Sequence, residues 1–109
     1  MFSGWISRKP MVGTSTLAAV DAAIEALARV VSLEVAPIRV NAVTPGMIDT
    51  PLWRARLSEP EQLSFFAKVG AELPVGRAGL PDDIAHAVQF LLENGFITGS
   101  VVDVDGGQR

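Results

Sequence analysis

Apolar residues recur at helical spacing early in the chain. Leu17, Val20, Ile24, Leu27, Val31 and Val35 fall on one face of a helix predicted over residues 14–35. Ala18, Ala19, Ala22, Ala23 and Ala26 occupy neighbouring positions, which favours helix and lets another element approach closely. Thr14, Ser15 or Thr16 can cap its start. Pro37 disfavours helical geometry at Ala36 and ends it. Residues 38–43 are short, β-branched and mostly apolar, which suits a strand covered on both faces, and Pro45-Gly46 ends that strand. Ser58-Glu59-Pro60-Glu61 has capping-box form. Leu63, Phe66 and Val69 continue it as a helical stripe to about Gly70. Pro81-Asp82-Asp83 opens another helix with carboxylates at its positive end. That helix carries the stripe Ile84, Ala87, Val88, Leu91 and Leu92 and stops at Asn94-Gly95. Residues 100–104 read as a second strand, followed by a flexible Gly106-Gly107 tail.

Helices alternating with short apolar strands predict an α/β fold with a parallel sheet. The 109 residues suit one domain. Two strands are few for an independent sheet, and Met1-Phe2-Ser3 reads as the end of a third strand whose earlier residues would lie before the chain begins.

Composition sharpens this picture. Hydrophobic residues make up 49% of the chain and charged residues 19%, with a mean hydropathy of +0.33. A domain this small buries only about two thirds of its unfolded surface, so apolar surface is expected to remain for a partner chain or a further segment. Net charge is -3, and no basic run exceeds Arg8-Lys9, which argues against a nucleic-acid surface. No apolar run approaches the roughly 18 residues needed to span a bilayer, and residues 1–5 do not form a signal peptide. There are no cysteines, which excludes disulfides and thiolate metal sites and fits a cytoplasmic protein. The single His86 has no partners at zinc-ligand spacing.

Three segments carry a family resemblance: "AAIEALARVVSLEVAPIRVNAVTPGMIDTPLW", "LPVGRAGLPDDIAHAVQFLL" and "ITGSVVDVDGG". In order and spacing, from about Leu17 to Gly107, they resemble the C-terminal half of a short-chain dehydrogenase/reductase. The resemblance implies the C-terminal part of a Rossmann-type doubly wound parallel sheet, with residues 1–109 as one partial domain. It also implies an NAD or NADP cofactor and hydride transfer at a carbonyl or alcohol carbon. In the family, the backbone beyond the Pro45-Gly46 turn and a Thr four residues past the Gly hold the nicotinamide carboxamide; here those positions are Ile48 and Thr50. An amide needs a paired donor and acceptor, which a loop backbone and a hydroxyl supply. Thr50 also stands where it would cap a short helix starting at Pro51. Residues 52–73 correspond to a substrate lid. Trp53, Leu57, Leu63, Phe65 and Phe66 within it either face an apolar substrate or close the core.

The chain departs from the family twice. It has no counterpart of the Gly-rich turn that places pyrophosphate at a helix N-terminus. The Tyr and Lys that the family carries four apart on the long helix fall on Leu17 and Asp21. Leu17 has no proton to give, Asp21 has the wrong charge to favour a phenolate, and the chain contains no Tyr. Ser3 lies near the position of the family's catalytic Ser and equally suits a strand-end serine bonded to backbone. These features point to a fragment or remnant of an NAD(P)-dependent oxidoreductase, inactive in this form. The alternative is a non-catalytic module that forms homo-oligomers through the helix at 14–35 and the last strand, as family members usually do.

Overall fold

The computed structural model describes residues 1–9 and 11–108, leaving the Arg54 side chain aside. Helix α1 spans Ser15–Glu34, strand β1 Ala42–Pro45, helix α2 Glu59–Glu72, helix α3 Pro81–Glu93 and strand β2 Val101–Val104, with short 3-10 turns at Trp5–Ser7 and Pro51–Ala55. The two strands are parallel, in register from Ala42 with Val101 to Pro45 with Val104. Phe2 bridges Val43 in parallel: Val43 N–H donates to Met1 O at 2.9 Å and Ser3 N–H to Val43 O at 3.0 Å. Residues 1–3 thus form one rung of a third parallel strand, as the sequence predicts. The result is a partial α/β fold of Rossmann type, with α1 and α3 packed against the sheet.

The first strand begins later than its apolar run suggests. Residues 38–41 lie outside it, although Gly99 N–H still donates to Val40 O at 2.7 Å, and side chains from this segment add further bonds. Arg39 Nη1 donates to Leu91 O at 2.7 Å and to Ile97 O at 3.0 Å, and its Nη2 donates to Leu92 O at 2.9 Å. These are carbonyls at or just beyond the negative end of α3, where a cation is favoured. Asn41 Nδ2 donates to Ile97 O, and its Oδ1 accepts Ser100 N–H, both at 3.0 Å. The strand proper then extends through Thr44 and Pro45, and β2 starts one residue after the predicted Ser100.

Helix α1 forms where predicted but presents a different face. The residues it buries are Glu25, Ala28 and Ser32. Much of its apolar stripe is exposed: Leu17 58%, Val20 50% and Leu27 48%. Small side chains decide the contact. Ser32 Oγ lies so near Gly99 that an added Cβ there would sit 2.8 Å away, so α1 approaches the segment just before β2 through a small side chain rather than through Leu or Val. Thr14 occupies the N-cap position, but its hydroxyl donates to Met11 O at 2.7 Å instead of capping.

Helices α2 and α3 start as their sequences indicate. Glu61 Oε2 accepts both Ser58 N–H at 2.8 Å and Ser58 Oγ–H at 2.6 Å. The second helix runs two residues past Gly70. Gly70 itself is buried under Arg77, whose Cα would be 2.9 Å from an added Cβ. At α3, Asp83 accepts Leu80 N–H at 2.8 Å and a two-toothed ion pair from Arg77, with both bonds at 2.7 Å. Leu91 of the predicted stripe is buried, whereas Leu92 is 71% exposed. Trp53, Phe65 and Phe66 stack on one another with ring centroids 5.1–5.7 Å apart, and only Phe66 of the three is fully buried.

The chain exposes 7136 Å², whereas a compact monomer of this mass exposes about 5,800 Å². The excess is comparable to or larger than one side of a standard interface, roughly 800 Å².

Backbone approach at Gly46 is tight: an added Cβ would lie 2.6 Å from Asp105 Cα and 2.9 Å from Asp105 O. Gly46→Ala is therefore expected to lower unfolding stability by about 1–3 kcal/mol. Gly95→Ala, whose Cβ meets nothing within 4 Å, is expected to change it by no more than about 0.5 kcal/mol. Urea denaturation of both variants checks the contrast.

Candidate functional site

Because the strands are parallel, the segments that follow them emerge at one end of the sheet. These are residues 3–9 after the first rung, 46–50 after β1 and 105–108 after β2. Ligands of open α/β sheets bind at such carboxyl ends.

The 46–50 loop is fixed from several sides. Gly46 N–H donates to Val104 O at 3.0 Å, and Met47 N–H to Gln108 Oε1 at 3.0 Å. Ile48 forms a parallel bridge with Gly79, through Gly79 N–H to Met47 O at 3.0 Å and Asp49 N–H to Gly79 O at 2.8 Å. Gln62 Nε2 donates to Asp49 Oδ1. Trp53 Nε1 donates to Ile48 O at 3.2 Å, leaving that carbonyl one further lone pair. Thr50 stands at the N-cap of the 51–55 turn, but only its backbone serves there. Trp53 N–H donates to Thr50 O at 3.2 Å, and the Thr50 hydroxyl makes no cap bond. Pro45, Gly46, Ile48 and Thr50 are thus brought together on one loop, with an acceptor and a hydroxyl that suit an amide. A nicotinamide carboxamide fits this donor and acceptor set.

Ser3 is placed elsewhere in the site. Its Oγ–H is shared between Asp21 O at 3.0 Å and Glu25 Oε1 at 3.3 Å, tying the strand end to α1. Leu17 is more than half exposed. The Asp21 carboxyl has its pKa raised, chiefly by burial and next by Glu25, with the nearby Ile6 backbone N–H acting in the other direction. The side chain also fills space beside Gly4, where an added Cβ would lie 2.6 Å from Asp21 Oδ2. A basic side chain at position 21 would lose this backbone contact.

The composition of the sequence did not single out the polar cluster beneath. Glu25 is 7% exposed. It accepts Ser7 Oγ–H at 2.9 Å and Arg8 Nη2–H at 3.0 Å, while Arg8 Nη1 donates to Asp103. Burial pushes the Glu25 carboxyl up, but Arg8, Ser7 and Ser3 outweigh it and hold the pKa below its usual value. Arg8 is held above its usual value by Glu25 first and Asp103 after it. The only linear signal was a glutamate among the alanines of an apolar helix.

A cavity of about 390 Å³ opens between these segments and α2, lined by Trp5, Lys9, Met11, Met47, Val69 and Leu73, among others. Its volume lies within the usual range for small-molecule sites. Among the described residues, no group of three His, Cys, Asp or Glu could hold a metal ion, and no helix is long and apolar enough to cross a membrane.

Residues 3–109 match the model of a family described as enoyl-(acyl carrier protein) reductase. A short-chain dehydrogenase/reductase of Stachybotrys chlorohalonatus is 36% identical over 105 residues, covering 96% of this chain and 41% of that protein. A small-chain dehydrogenase solved in complex with NADPH is 42% identical with a TM-score of 0.89, covering 97% of this chain and 48% of that one. A short-chain oxidoreductase from Pseudomonas aeruginosa PAO1, described as NADPH-bound and containing an atypical catalytic center, is 29% identical with a TM-score of 0.84, covering 99% of this chain and 44% of that one. The chain spans less than half the length of each of these relatives.

The polar cluster carries a pH signature. A lowered carboxyl pKa contributes stability that is present above the ordinary value, about 4.3 for Glu, and is lost as pH falls through the folded value. The raised Asp21 acts in the opposite sense, and its contribution fades as pH rises through its folded value. Glu25→Gln is therefore expected to destabilise by about 2 kcal/mol at pH 7, where it breaks charged hydrogen bonds, and by much less at pH 3. Asp21→Asn, which keeps an acceptor for Ile6, is expected to be neutral or stabilising at pH 7. Urea midpoints at the two pH values check both.

Proposed function

The chain belongs to the short-chain dehydrogenase/reductase family, and from that premise we propose that it forms the nicotinamide-facing wall of an NAD(P)-dependent oxidoreductase site. The observation that carries this reading is the fixed 46–50 loop at the carboxyl end of the strands, with the Ile48 carbonyl and the uncapped Thr50 hydroxyl two positions apart in sequence. The two would hold the carboxamide of NAD or NADP, which when bound supplies a hydride donor or acceptor. Bonding from Gly79, Gln108 and Trp53 fixes the loop, so a ligand need not order it, and pre-organisation of that kind improves affinity.

The helix side of the site supports a further reading: the chain does not pass protons by the family's usual route. Leu17 carries no titratable group. Asp21 has its pKa raised by burial and by Glu25 and carries no positive charge in either protonation state, so it does not lower a phenol pKa as a lysine would. Ser3 shares its proton with α1. A solved relative described as having an atypical catalytic center makes departure from the usual pair compatible with this fold.

A second reading, a non-catalytic oligomerising module, is favoured by the exposed stripe of α1. Leu17, Val20, Leu27, Val30 and Leu33 are each at least 48% exposed, and β2 is the edge strand beyond β1. An apolar helical face left open in this way is a surface for a second copy.

Three outcomes test these readings. On titration with NADPH, saturation transfer is expected at the nicotinamide protons, and Thr50→Val is expected to weaken it about fivefold, as loss of one hydrogen bond does. No transfer to NADH or NADPH, in this chain or in a longer in-frame version, removes the cofactor reading. In a version that binds cofactor, Leu17→Tyr with Asp21→Lys is expected to raise carbonyl reduction by about 10²–10⁴-fold, the usual contribution of a positioned acid. For the module, light scattering after size exclusion is expected to show a dimer or larger species at micromolar concentration, and a clean monomer there rejects it.

A further inference from the structure

The chain has two asparagines, Asn41 and Asn94, in opposite surroundings. Asn41 is followed by Ala42, and both ends of its amide are bonded, Nδ2–H to Ile97 O and Oδ1 to Ser100 N–H. Asn94 is followed by Gly95 and stands at the C-cap of α3. Gly95 is exposed, and a Cβ added there would meet nothing within 4 Å. A side-chain amide next to an unshielded peptide nitrogen is a reactive pair.

We propose that Asn94 is a site of spontaneous deamidation through ring closure with Gly95, and that the isoaspartyl product loosens the hold of Arg39 on the end of α3. The Gly95 nitrogen attacks Asn94 Cγ. The N–Cγ bond forms, the Cγ–Nδ2 bond breaks, and the Gly95 amide proton passes through solvent to the departing ammonia. Water then opens the five-membered imide. Opening at Cγ leaves aspartate. Opening at the former backbone carbonyl leaves isoaspartate, with the main chain now running through the side-chain carbon. Water is the only co-reactant, and nothing is oxidised or reduced.

The backbone decides whether the ring closes. At Asn94 φ is -81° and ψ is 96°, which turns the Gly95 nitrogen away from the side chain, so attack follows a rotation about ψ. Two bonds oppose that rotation: Phe96 N–H to Asn94 Oδ1 at 3.0 Å and Ile97 N–H to Asn94 O at 3.4 Å. The first is exposed and the second is long, so water replaces both at little cost. Gly95 absorbs the turn through its own free dihedrals, and the fully exposed Phe96 has no packing to resist it.

Asp105-Gly106 supplies a contrast within the same chain. It can form the same imide, and it makes the same local bond, Gly107 N–H to Asp105 Oδ1 at 2.9 Å. There the backbone is clamped. A Cβ on Gly106 would lie 2.9 Å from Val75 Cγ2, and one on Gly46 would lie 2.6 Å from Asp105 Cα. Rotation at Asp105 therefore meets packing from two sides.

The product acts where α3 joins the start of β1. The new carboxylate adds one negative charge to the net -3 at the negative end of α3, where an anion is disfavoured. Arg39 Nη1 bridges Leu91 O and Ile97 O across this junction. One carbon added to the main chain between them draws the two acceptors out of register.

The test incubates the 109-residue chain in mildly alkaline buffer, native and in guanidinium chloride, and follows it by mass spectrometry. Electron-transfer fragmentation separates position 94 from position 105, and an isoaspartyl methyltransferase labels isoaspartate. A gain of about 1 Da is expected at Asn94 in the native chain, at a rate within about tenfold of the denatured one, since exposed turns open at almost no free-energy cost. Isoaspartate at Asp105 is expected only in the denatured chain. Gly95→Ala is expected to slow conversion at least about tenfold, because its Cβ restricts the backbone and shields the nitrogen. The isolated isoaspartyl form is expected to have a lower urea midpoint than Asn94→Asp, which carries the charge without the extra carbon. No gain at Asn94, a native rate further below the denatured one, isoaspartate at Asp105 in the native chain, an unchanged rate in Gly95→Ala, or equal midpoints for the isoaspartyl form and Asn94→Asp overturns the proposal.

Discussion

The Arg39 guanidinium, held by three carbonyls at and beyond the end of α3, sets the geometry on which the other contacts depend. Together with the two bonds made by the Asn41 amide, it draws residues 97–100 against the start of β1. That fixes the register at Ala42 with Val101. With this register, Gly46 meets Asp105 at the far end of the strands, where only a glycine allows the approach. The loop at 46–50 is therefore positioned by this register as well as by its own bonds to Gly79, Gln108 and Trp53. Several charge-assisted bonds to one planar fork are stronger and more directional than neutral ladder bonds.

A second constraint acts across the sheet. Glu25, Arg8 and Asp103 connect α1, the segment after the first rung and β2. A buried carboxylate is tolerated only where donors surround it, and Ser3, Ser7 and Arg8 supply them. Ser3 therefore serves the join between strand and helix in this structure. The same arrangement leaves Asp21 facing backbone, one helical turn from Glu25. At this point the chain differs most from the family's usual acid and its basic partner.

Legibility in the sequence followed the range of the forces. Helices α2 and α3 start where they were expected, because capping and dipole interactions lie within a few residues: Glu61 with Ser58, and Asp83 with Leu80. The stripe of α3 was read correctly through Leu91, and Leu92 lies outside the packed face. The strand at 38–43 was misplaced because Arg39 and Asn41 bond to residues more than fifty positions away, and nothing in a local apolar run reports that. The Pro45-Gly46 turn, Ile48 and Thr50 were legible as a loop at a strand end. Trp5, Met47 and Gln108, which line cavities there, were not, because three separate segments bring them together.

The sequence by itself determined the α/β class, the helices, the parallel sheet and the family, since periodicity, caps and motif order are local or ordered along the chain. Only the tertiary structure decided which face of α1 meets the sheet. The apolar pattern points to Leu17, Val20 and Leu27, yet Ala28 and Ser32 are the residues buried, because beside Gly99, just before β2, the close approach belongs to a small side chain. That choice leaves the larger apolar residues outward and places Glu25 inward against Arg8. It is a matter of steric fit and charge pairing between distant segments, which spacing along one helix does not encode.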